Sequence, residues 1–163
     1  MFAATCLTLA GCGFALRGDT SIDAMMQPIY ITSDRASQEL SLSLKRQFAI
    51  NDVAVSKYRK NANLIVIVQL LDEDKRSVAL DREARDAEYA LFEFASIELQ
   101  KTDGTNLRGP QILQQRRLIV NDPDNPLGEE TESSIVRAEM REQLSIRLAR
   151  QVEFWSHQIQ DAR

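Results

Sequence analysis

The C-terminal part of the chain carries one long apolar stripe at helical spacing, and no other feature of the sequence constrains the fold as strongly. From Glu129 onward the apolar side chains recur every three or four residues, which places them on one face of a single α-helix. The stripe consists of Val136, Met140, Leu144, Leu148, Val152, Trp155 and Ile159. Thirty such residues span about 45 Å. We expect this helix to lie along the face of a sheet.

Before this helix the sequence predicts long strands joined by tight turns. Residues 64–71 are almost continuously aliphatic, which is typical of a buried strand, and their pairing is expected to continue to residue 80. Residues 81–86 are polar and predict a hairpin tip. A second long strand is expected at residues 87–100, followed by an Asp-Gly turn and a last strand at residues 111–120.

In the second strand, alternation separates two faces. One face carries Tyr89, Leu91, Ala95, Ile97 and Leu99, and the other carries Phe92 and Phe94. Upstream, the sequence predicts short strands at residues 28–32 and 53–58 and a helix at residues 36–51. The apolar stripe of that helix is Leu40, Leu44 and Phe48. The expected architecture is a single α+β domain, with two helices packed on one face of a largely antiparallel, mixed β-sheet.

The N-terminus has the pattern of an export signal. A short apolar stretch ends in Leu9-Ala10-Gly11-Cys12, and small residues beside a cysteine are typical of a bacterial lipoprotein processing site. Residues 1–11 are therefore expected to be a lipoprotein signal peptide. Residues 12–163 would form the mature domain, lipidated on Cys12. The alternative is a buried N-terminal strand that carries Cys6 and Cys12 in the core.

Composition argues against several classes of function. The chain has 20 Lys+Arg against 24 Asp+Glu, so it lacks the basic excess of a nucleic-acid-binding protein. His157 is the only histidine, which leaves little material for metal clusters or histidine-dependent catalytic triads. The acidic loop at residues 121–130 lacks the ligand order of a calcium loop and reads better as a solvated turn. We therefore expect a protein that is not an enzyme and holds no metal.

Several short motifs resemble the family of LPS-assembly lipoproteins called LptE or RlpB. The most specific one is Gly-Cys-Gly-Phe-Ala-Leu-Arg at residues 11–17. Ala-Glu-Tyr at residues 87–89, Asp-Asn-Pro at residues 124–126 and the helical pattern at residues 140–148 also fit. The resemblance runs from Leu9 to about Trp155.

This resemblance implies a place and a set of partners. Members of the family sit as a plug inside LptD, a large outer-membrane β-barrel, and the two deliver lipopolysaccharide to the outer leaflet. The implied location is the outer membrane, on the periplasmic side and in the barrel lumen, and Gly13 after the lipidated cysteine agrees with outer-membrane sorting. The only cofactor-like group expected is the covalent lipid on Cys12, which would tether the chain to the membrane. The alternative is a periplasm-facing lipoprotein that binds a small or lipidic ligand without a barrel partner.

The resemblance also implies that lipopolysaccharide contacts basic residues. A basic position of the family before Ala-Glu-Tyr matches Arg82, and the nearby Arg85 and Arg76 complete the candidate set. The planar guanidinium suits phosphate. A second basic position of the family, a lysine after Asp-Asn-Pro, has no counterpart here. Residues 72–88 hold seven acidic and four basic side chains, so the alternative is an exposed face whose charges neutralise one another.

Overall fold

The structure is a computed structural model and describes residues 22–121 and 126–162. Its elements in chain order are β1 (Ile29–Thr32), α1 (Gln38–Ile50), β2 (Leu64–Leu80), β3 (Asp86–Gln100), β4 (Asn106–Val120) and α2 (Pro126–Asp161), with short 3-10 turns at Ala24–Met26 and Arg59–Asn61. The strands lie in the order β1-β2-β3-β4. β1 runs parallel to β2, and the other two pairs are antiparallel. The fold is the mixed, largely antiparallel sheet with two helices that the sequence predicts.

Both helices cover the same side of the sheet, and the main core lies between them and the strands. Alternate residues of β2 and β3 meet the apolar stripes of α1 and α2, as the 2.0 and 3.6 periodicities require. Leu44, Phe48, Leu148 and Val152 are fully buried there. A second, smaller cluster lies toward the other end of β3 and consists of Tyr89, Leu91, Ile119 and Met140, with Val136 against it.

Polar contacts hold the N-terminal half of α2 against the sheet beside the smaller cluster. The hydroxyls of Tyr89 and Ser133 lie 2.8 Å apart and share a hydrogen bond. Lys75 forms an ion pair with Glu129, and its ammonium lies 3.9 Å from the centre of the Tyr89 ring. α2 therefore packs along β3 and β4, and the prediction of one long helix is confirmed. It begins at Pro126, which suits the first position of a helix because proline lacks the N–H that would be unpaired there.

The strand predicted at residues 53–58 is wrong. Only Val55 pairs with β1, through a single bridge to Ile29. Asp52 has φ 56°, and the 3-10 turn that begins at Arg59 bends the chain away soon afterwards. The segment is therefore too short to form a strand beside β1.

The last strand begins earlier than predicted, at Asn106. β4 is an edge strand with no neighbouring strand on its outer side, and such strands tolerate a proline that cannot donate a backbone hydrogen bond, here Pro110. Gly109 has φ 87°, and a Cβ there would lie 2.7 Å from the carbonyl oxygen of Ile97 and 3.1 Å from the Trp155 ring. Glycine lets the strand pass beneath the end of α2, which is why pairing with β3 extends past the proline.

Within the described residues, neither helix is long and apolar enough to cross a membrane. In the same ranges, 22–121 and 126–162, His, Cys, Asp and Glu side chains form no group of three that could hold a metal ion.

Candidate functional site

The hairpin tip between β2 and β3 is organised around the carboxylate of Asp81. The Asp81 N–H donates to the carbonyl of Arg85 at 2.8 Å, and Ala84 adopts φ 61° to close the turn. The Asp81 carboxylate accepts hydrogen bonds from the backbone N–H groups of Arg85 and Glu83, at 2.8 and 2.9 Å. The bond from Arg85 is the largest cause that lowers the pKa of Asp81. The carboxylate therefore stays ionised and fixes the shape of the tip.

The two arginines of the tip have different surroundings. The Nε of Arg85 donates to Oδ2 of Asp81 at 2.9 Å, so Arg85 helps to build the turn. Arg82 is exposed and makes no hydrogen bond or ion pair within the described part of the chain. Of the two, Arg82 presents a guanidinium that the tip itself does not use.

Arg76 lies apart from the tip, on the side of the sheet that the helices leave open. Its Nε donates to Oδ2 of Asp74 at 2.6 Å, and its guanidinium carbon lies 4.7 Å from the centre of the Phe92 ring. The structure thus places Arg82 and Arg85 together at the hairpin and places Arg76 on the open side among other partners. Cys12 lies outside the described residues.

A cluster of buried charges lies on the opposite side of the sheet, beneath α2. Glu93 sits between Leu91 and Ala95 on the helix-covered face of β3, with no exposed surface. Arg141 Nε lies 3.5 Å and Arg137 Nη1 lies 3.9 Å from its Oε1. Glu93 therefore occupies the boundary between the main core and the smaller apolar cluster.

Glu73, Arg141 and Glu39 extend this cluster toward α1. Glu73 is the cross-strand neighbour of Glu93, and Arg141 Nη2 donates to Oε1 of Glu73 at 2.5 Å. Arg141 also pairs with Glu39 of α1. One guanidinium therefore ties β2, β3 and both helices together.

Burial and charge move the pKa values of the two neighbouring glutamates in opposite directions. Burial raises the pKa of Glu93 to about 7, against the pull of Arg141. Partial burial also raises the pKa of Glu73, but the hydrogen bond and charge of Arg141 outweigh it, so the net shift is downward. Burial alone would lower the pKa of Arg141, and the glutamates raise it instead. Glu73 is thus the carboxylate that Arg141 stabilises most in its ionised form.

This cluster was not predicted, although the sequence carries a signal for it. Residue 93 has the same parity as Leu91 and Ala95, so alternation assigns it to the buried face. Both oxygens of Glu93 lack hydrogen bonds within the described structure, as do Arg137 Nη1 and Arg141 Nε. The carboxyl of Glu93 has no exposed surface, so it is not open to solvent.

Comparison with solved structures identifies the class of fold. Lipoprotein B from Nitrosomonas europaea superposes with a TM-score of 0.70 at 20% identity, and the match covers 89% of this chain and 93% of that one. Rare lipoprotein B from Shewanella oneidensis gives 0.67 at 19% identity, over 81% of this chain and 98% of that one. The chain therefore shares its fold, two helices on a four-stranded mixed sheet, with these two bacterial lipoproteins.

Sequence comparison identifies the family within that class. The model of the LptE family, described as lipopolysaccharide-assembly, matches residues 26–152. The LPS-assembly lipoprotein LptE of Photorhabdus laumondii is 30% identical over 148 residues, which are 90% of this chain and 79% of that protein. Its counterpart from Yersinia pestis is 28% identical, over 90% of this chain and 70% of that protein. The chain belongs to the LptE family of lipopolysaccharide-assembly lipoproteins.

Proposed function

We propose that this protein is an outer-membrane lipoprotein that plugs the LptD β-barrel, supports its assembly, binds lipopolysaccharide and aids its delivery to the outer leaflet. The observation that carries the proposal is the extent of the family match. Residues 26–152 include the whole sheet, α1 and most of α2. The proposed activity therefore belongs to the folded body as a unit and not to an accessory segment.

The dimensions of the body support the role of a plug. α2 has 36 residues and is about 54 Å long, and β2 has 17 residues and extends over about 56 Å. A body of that length, only four strands wide, suits the lumen of a large barrel. Barrel interiors of this kind are polar, and many side chains of β2 and α2 that face away from the core are charged.

The proposed anchor is a lipid on Cys12, with residues 1–11 removed as a signal peptide. Stable membrane attachment needs more than one acyl chain, and a triacylated cysteine supplies three. Such an anchor at residue 12 would hold the body beside the membrane that contains the barrel.

Arg82 is the residue of the hairpin best suited to contact the anionic part of lipopolysaccharide. Its guanidinium is exposed and has no partner in the described structure, so a phosphate would not have to displace an internal contact. Arg85 has a supporting role, because its bond to Asp81 holds the turn that presents Arg82.

We infer that the protein is not an enzyme. The most extensive arrangement of titratable groups in the described ranges is the one around Glu93, and its central carboxyl is sealed beneath α2. A sealed carboxyl supports a structural part in assembly better than a part in acid–base catalysis.

The experiment that tests the proposal is purification of the full-length chain from outer membranes in mild detergent. We expect a large β-barrel protein to co-purify at about one-to-one stoichiometry. Recovery of the chain alone, with lipid or a small ligand bound, would favour the alternative of a ligand-binding lipoprotein without a barrel partner.

A further inference from the structure

The side of the sheet opposite the helices exposes aliphatic side chains where an open antiparallel face normally carries polar ones. On β4 this side presents every second residue from Ile112 to Val120. Ile112 is 60% exposed, Leu118 is 54% exposed and Val120 is 75% exposed. The stretch from Ile112 to Val120 extends over about 27 Å.

Aromatic side chains of the central strand β3 continue this surface. Phe92 and Phe94 point to the open side and are half-buried, with ring centres 6.4 Å apart and planes at 11°. Arg76 and Arg116 lie on either side of Phe92, with guanidinium carbons 4.7 and 5.8 Å from its centre. We call the surface made of Phe92, Phe94, Ile112, Arg116, Leu118 and Val120 the β3–β4 open face.

Charges of both signs lie on this side of the sheet. Arg116 of β4 lies there opposite Phe92, whereas Arg117 pairs with Leu91 on the helix-covered side. Glu88 of β3 lies at the far end, opposite Val120. The nearest acid across β3, Asp74, is paired with Arg76. Arg116 makes no ion pair or hydrogen bond with any described residue, and its guanidinium lies beside the Phe92 ring. The β3–β4 open face thus combines an uncompensated cation with exposed hydrocarbon.

The β3–β4 open face is also continuous with the hairpin tip. Val120 is paired with Glu88, and the next residue, Asn121, donates from its side chain to the carbonyl of Asp86 at 2.8 Å. One end of the aliphatic strip therefore lies beside the turn that carries Arg82, and the other end lies at Ile112.

We propose that the β3–β4 open face binds a phosphorylated lipid, with a phosphate at Arg116 beside Phe92 and acyl chains along Ile112, Leu118 and Val120. This proposal rests on the proposed function, because it assigns lipopolysaccharide binding to a particular surface. A soluble phosphate would leave the three aliphatic side chains in water. A lipid uses both parts, since its phosphate complements the guanidinium and its chains cover exposed apolar area.

Binding of the full-length chain to phosphatidylcholine vesicles that contain diphosphorylated lipid A tests the proposal, with fully dephosphorylated lipid A as the comparison. All chains carry Cys12→Ser, so that the proposed lipid anchor does not itself bind the vesicles. Arg116→Glu should weaken binding to the phosphorylated form at least about tenfold. The matched control is Arg150→Glu, an exposed arginine on α2, which should bind as the wild type does. Dephosphorylation of lipid A should weaken binding by the wild-type chain far more than it weakens binding by Arg116→Glu.

A second variant tests the proposed contact between the acyl chains and the aliphatic side chains. Ile112→Thr together with Leu118→Thr should weaken binding to both lipid A forms, whereas Ile135→Gln on the exposed side of α2 should not. All variants are checked for wild-type melting temperature and for molecular mass in solution. If the paired threonine variant abolishes a dimer of the wild-type chain and leaves lipid binding intact, the surface is a self-association interface and the proposal is wrong.

The outcomes separate this proposal from the proposed function. Wild-type binding by Arg116→Glu, or equal losses in Arg116→Glu and Arg150→Glu, overturns the placement and leaves lipopolysaccharide binding in place. A wild-type chain that fails to bind lipid A at all overturns lipopolysaccharide binding itself.

Discussion

Glu93 is the residue whose surroundings depart furthest from those of an ordinary surface carboxylate. It is fully buried on the helix-covered side of β3, and neither of its oxygens accepts a hydrogen bond. Arg141 and Arg137 attract its charge from 3.5 and 3.9 Å without hydrogen-bonding geometry. Since nearby charge only partly offsets the cost of burial, the protonated and ionised forms of Glu93 are both populated near neutral pH.

Replacing Glu93 by glutamine should therefore reduce the pH dependence of stability. Burial raises the pKa of Glu93 to about 7 in the folded chain, while an unfolded glutamate titrates near about 4.3. Between these values the folded state binds more protons than the unfolded state, so the free energy of unfolding falls as pH rises. We expect the wild-type chain to lose about 1–3 kcal/mol relative to Glu93→Gln between pH 5 and pH 8, measured by urea unfolding at each pH.

The control for this prediction is Glu139→Gln, which changes an exposed glutamate of α2. It should keep the wild-type pH dependence. The lowered pKa of Glu73 acts at more acid pH, where stability is lost as the pH falls through that pKa, so it stays outside the window. If Glu93→Gln and the wild-type chain respond identically from pH 5 to pH 8, Glu93 does not titrate near neutral pH.

Single residues also show where sequence analysis stops. Alternation along β3 correctly assigned Tyr89 and Leu91 to the buried face. It does not tell why Glu93 is tolerated there, because the compensating Arg137 and Arg141 come from a helix more than forty positions later in the chain. Alternation along β2 could predict that Arg76 lies on the open side of the sheet, but its pairing with Asp74 depends on side-chain geometry.

Among the elements, α2 contributes a fully buried apolar stripe to the main core. Leu148 is fully buried in the main core between α1 and the strands. Leu148→Ala should lower the free energy of unfolding by about 2–5 kcal/mol, through lost burial and the cavity left behind. Ile135→Ala, on the exposed side of the same helix, should change it by about 0.5 kcal/mol or less. Equal melting temperatures for Leu148→Ala and wild type would contradict this packing.

The hairpin tip yields a prediction about ligand binding. Arg82→Glu removes an exposed guanidinium with no partner in the described structure, so the fold should keep its melting temperature. Lipopolysaccharide binding by the full-length chain should weaken about tenfold if a charge-assisted contact is lost. Arg59→Glu, exposed on the 3-10 turn, is the control and should bind normally. Unchanged binding by Arg82→Glu would remove this residue from the ligand contacts.

Elements with strong periodicity were predictable, and those that depend on distant partners were not. The length of α2 and of the β2–β3 hairpin follows from apolar spacing and from a polar tip. Residues 53–58 alternate as a strand, but β1 offers them only one bridge. The early start of β4 depends on Gly109, whose backbone approaches Ile97 and Trp155 too closely for any side chain. These contacts join residues that lie far apart in the sequence, so local patterns do not reveal them.

At the scale of the whole molecule, the described body has two unlike sides. One side of the sheet is closed by two helices over a continuous core, interrupted by the charges around Glu93. The other side carries exposed aliphatic and aromatic groups on β3 and β4. In the proposed role as a plug, these chemically different sides would be available to two different partners, the barrel wall and the lipid.

The proposed anchor sets where this two-sided body can act. If Cys12 carries the lipid, Cys12→Ser in the full-length chain should abolish labelling by fatty acid and leave an unprocessed precursor that retains residues 1–11. Serine preserves the size of the side chain but lacks the thiol that is alkylated, so the fold of the body should be unchanged. The measurements are metabolic labelling, intact mass and the melting temperature. Cys6→Ser is the matched control, because it removes the only other cysteine and should be labelled and processed normally. Labelling that persists in Cys12→Ser, or that is lost in Cys6→Ser, would place the anchor elsewhere.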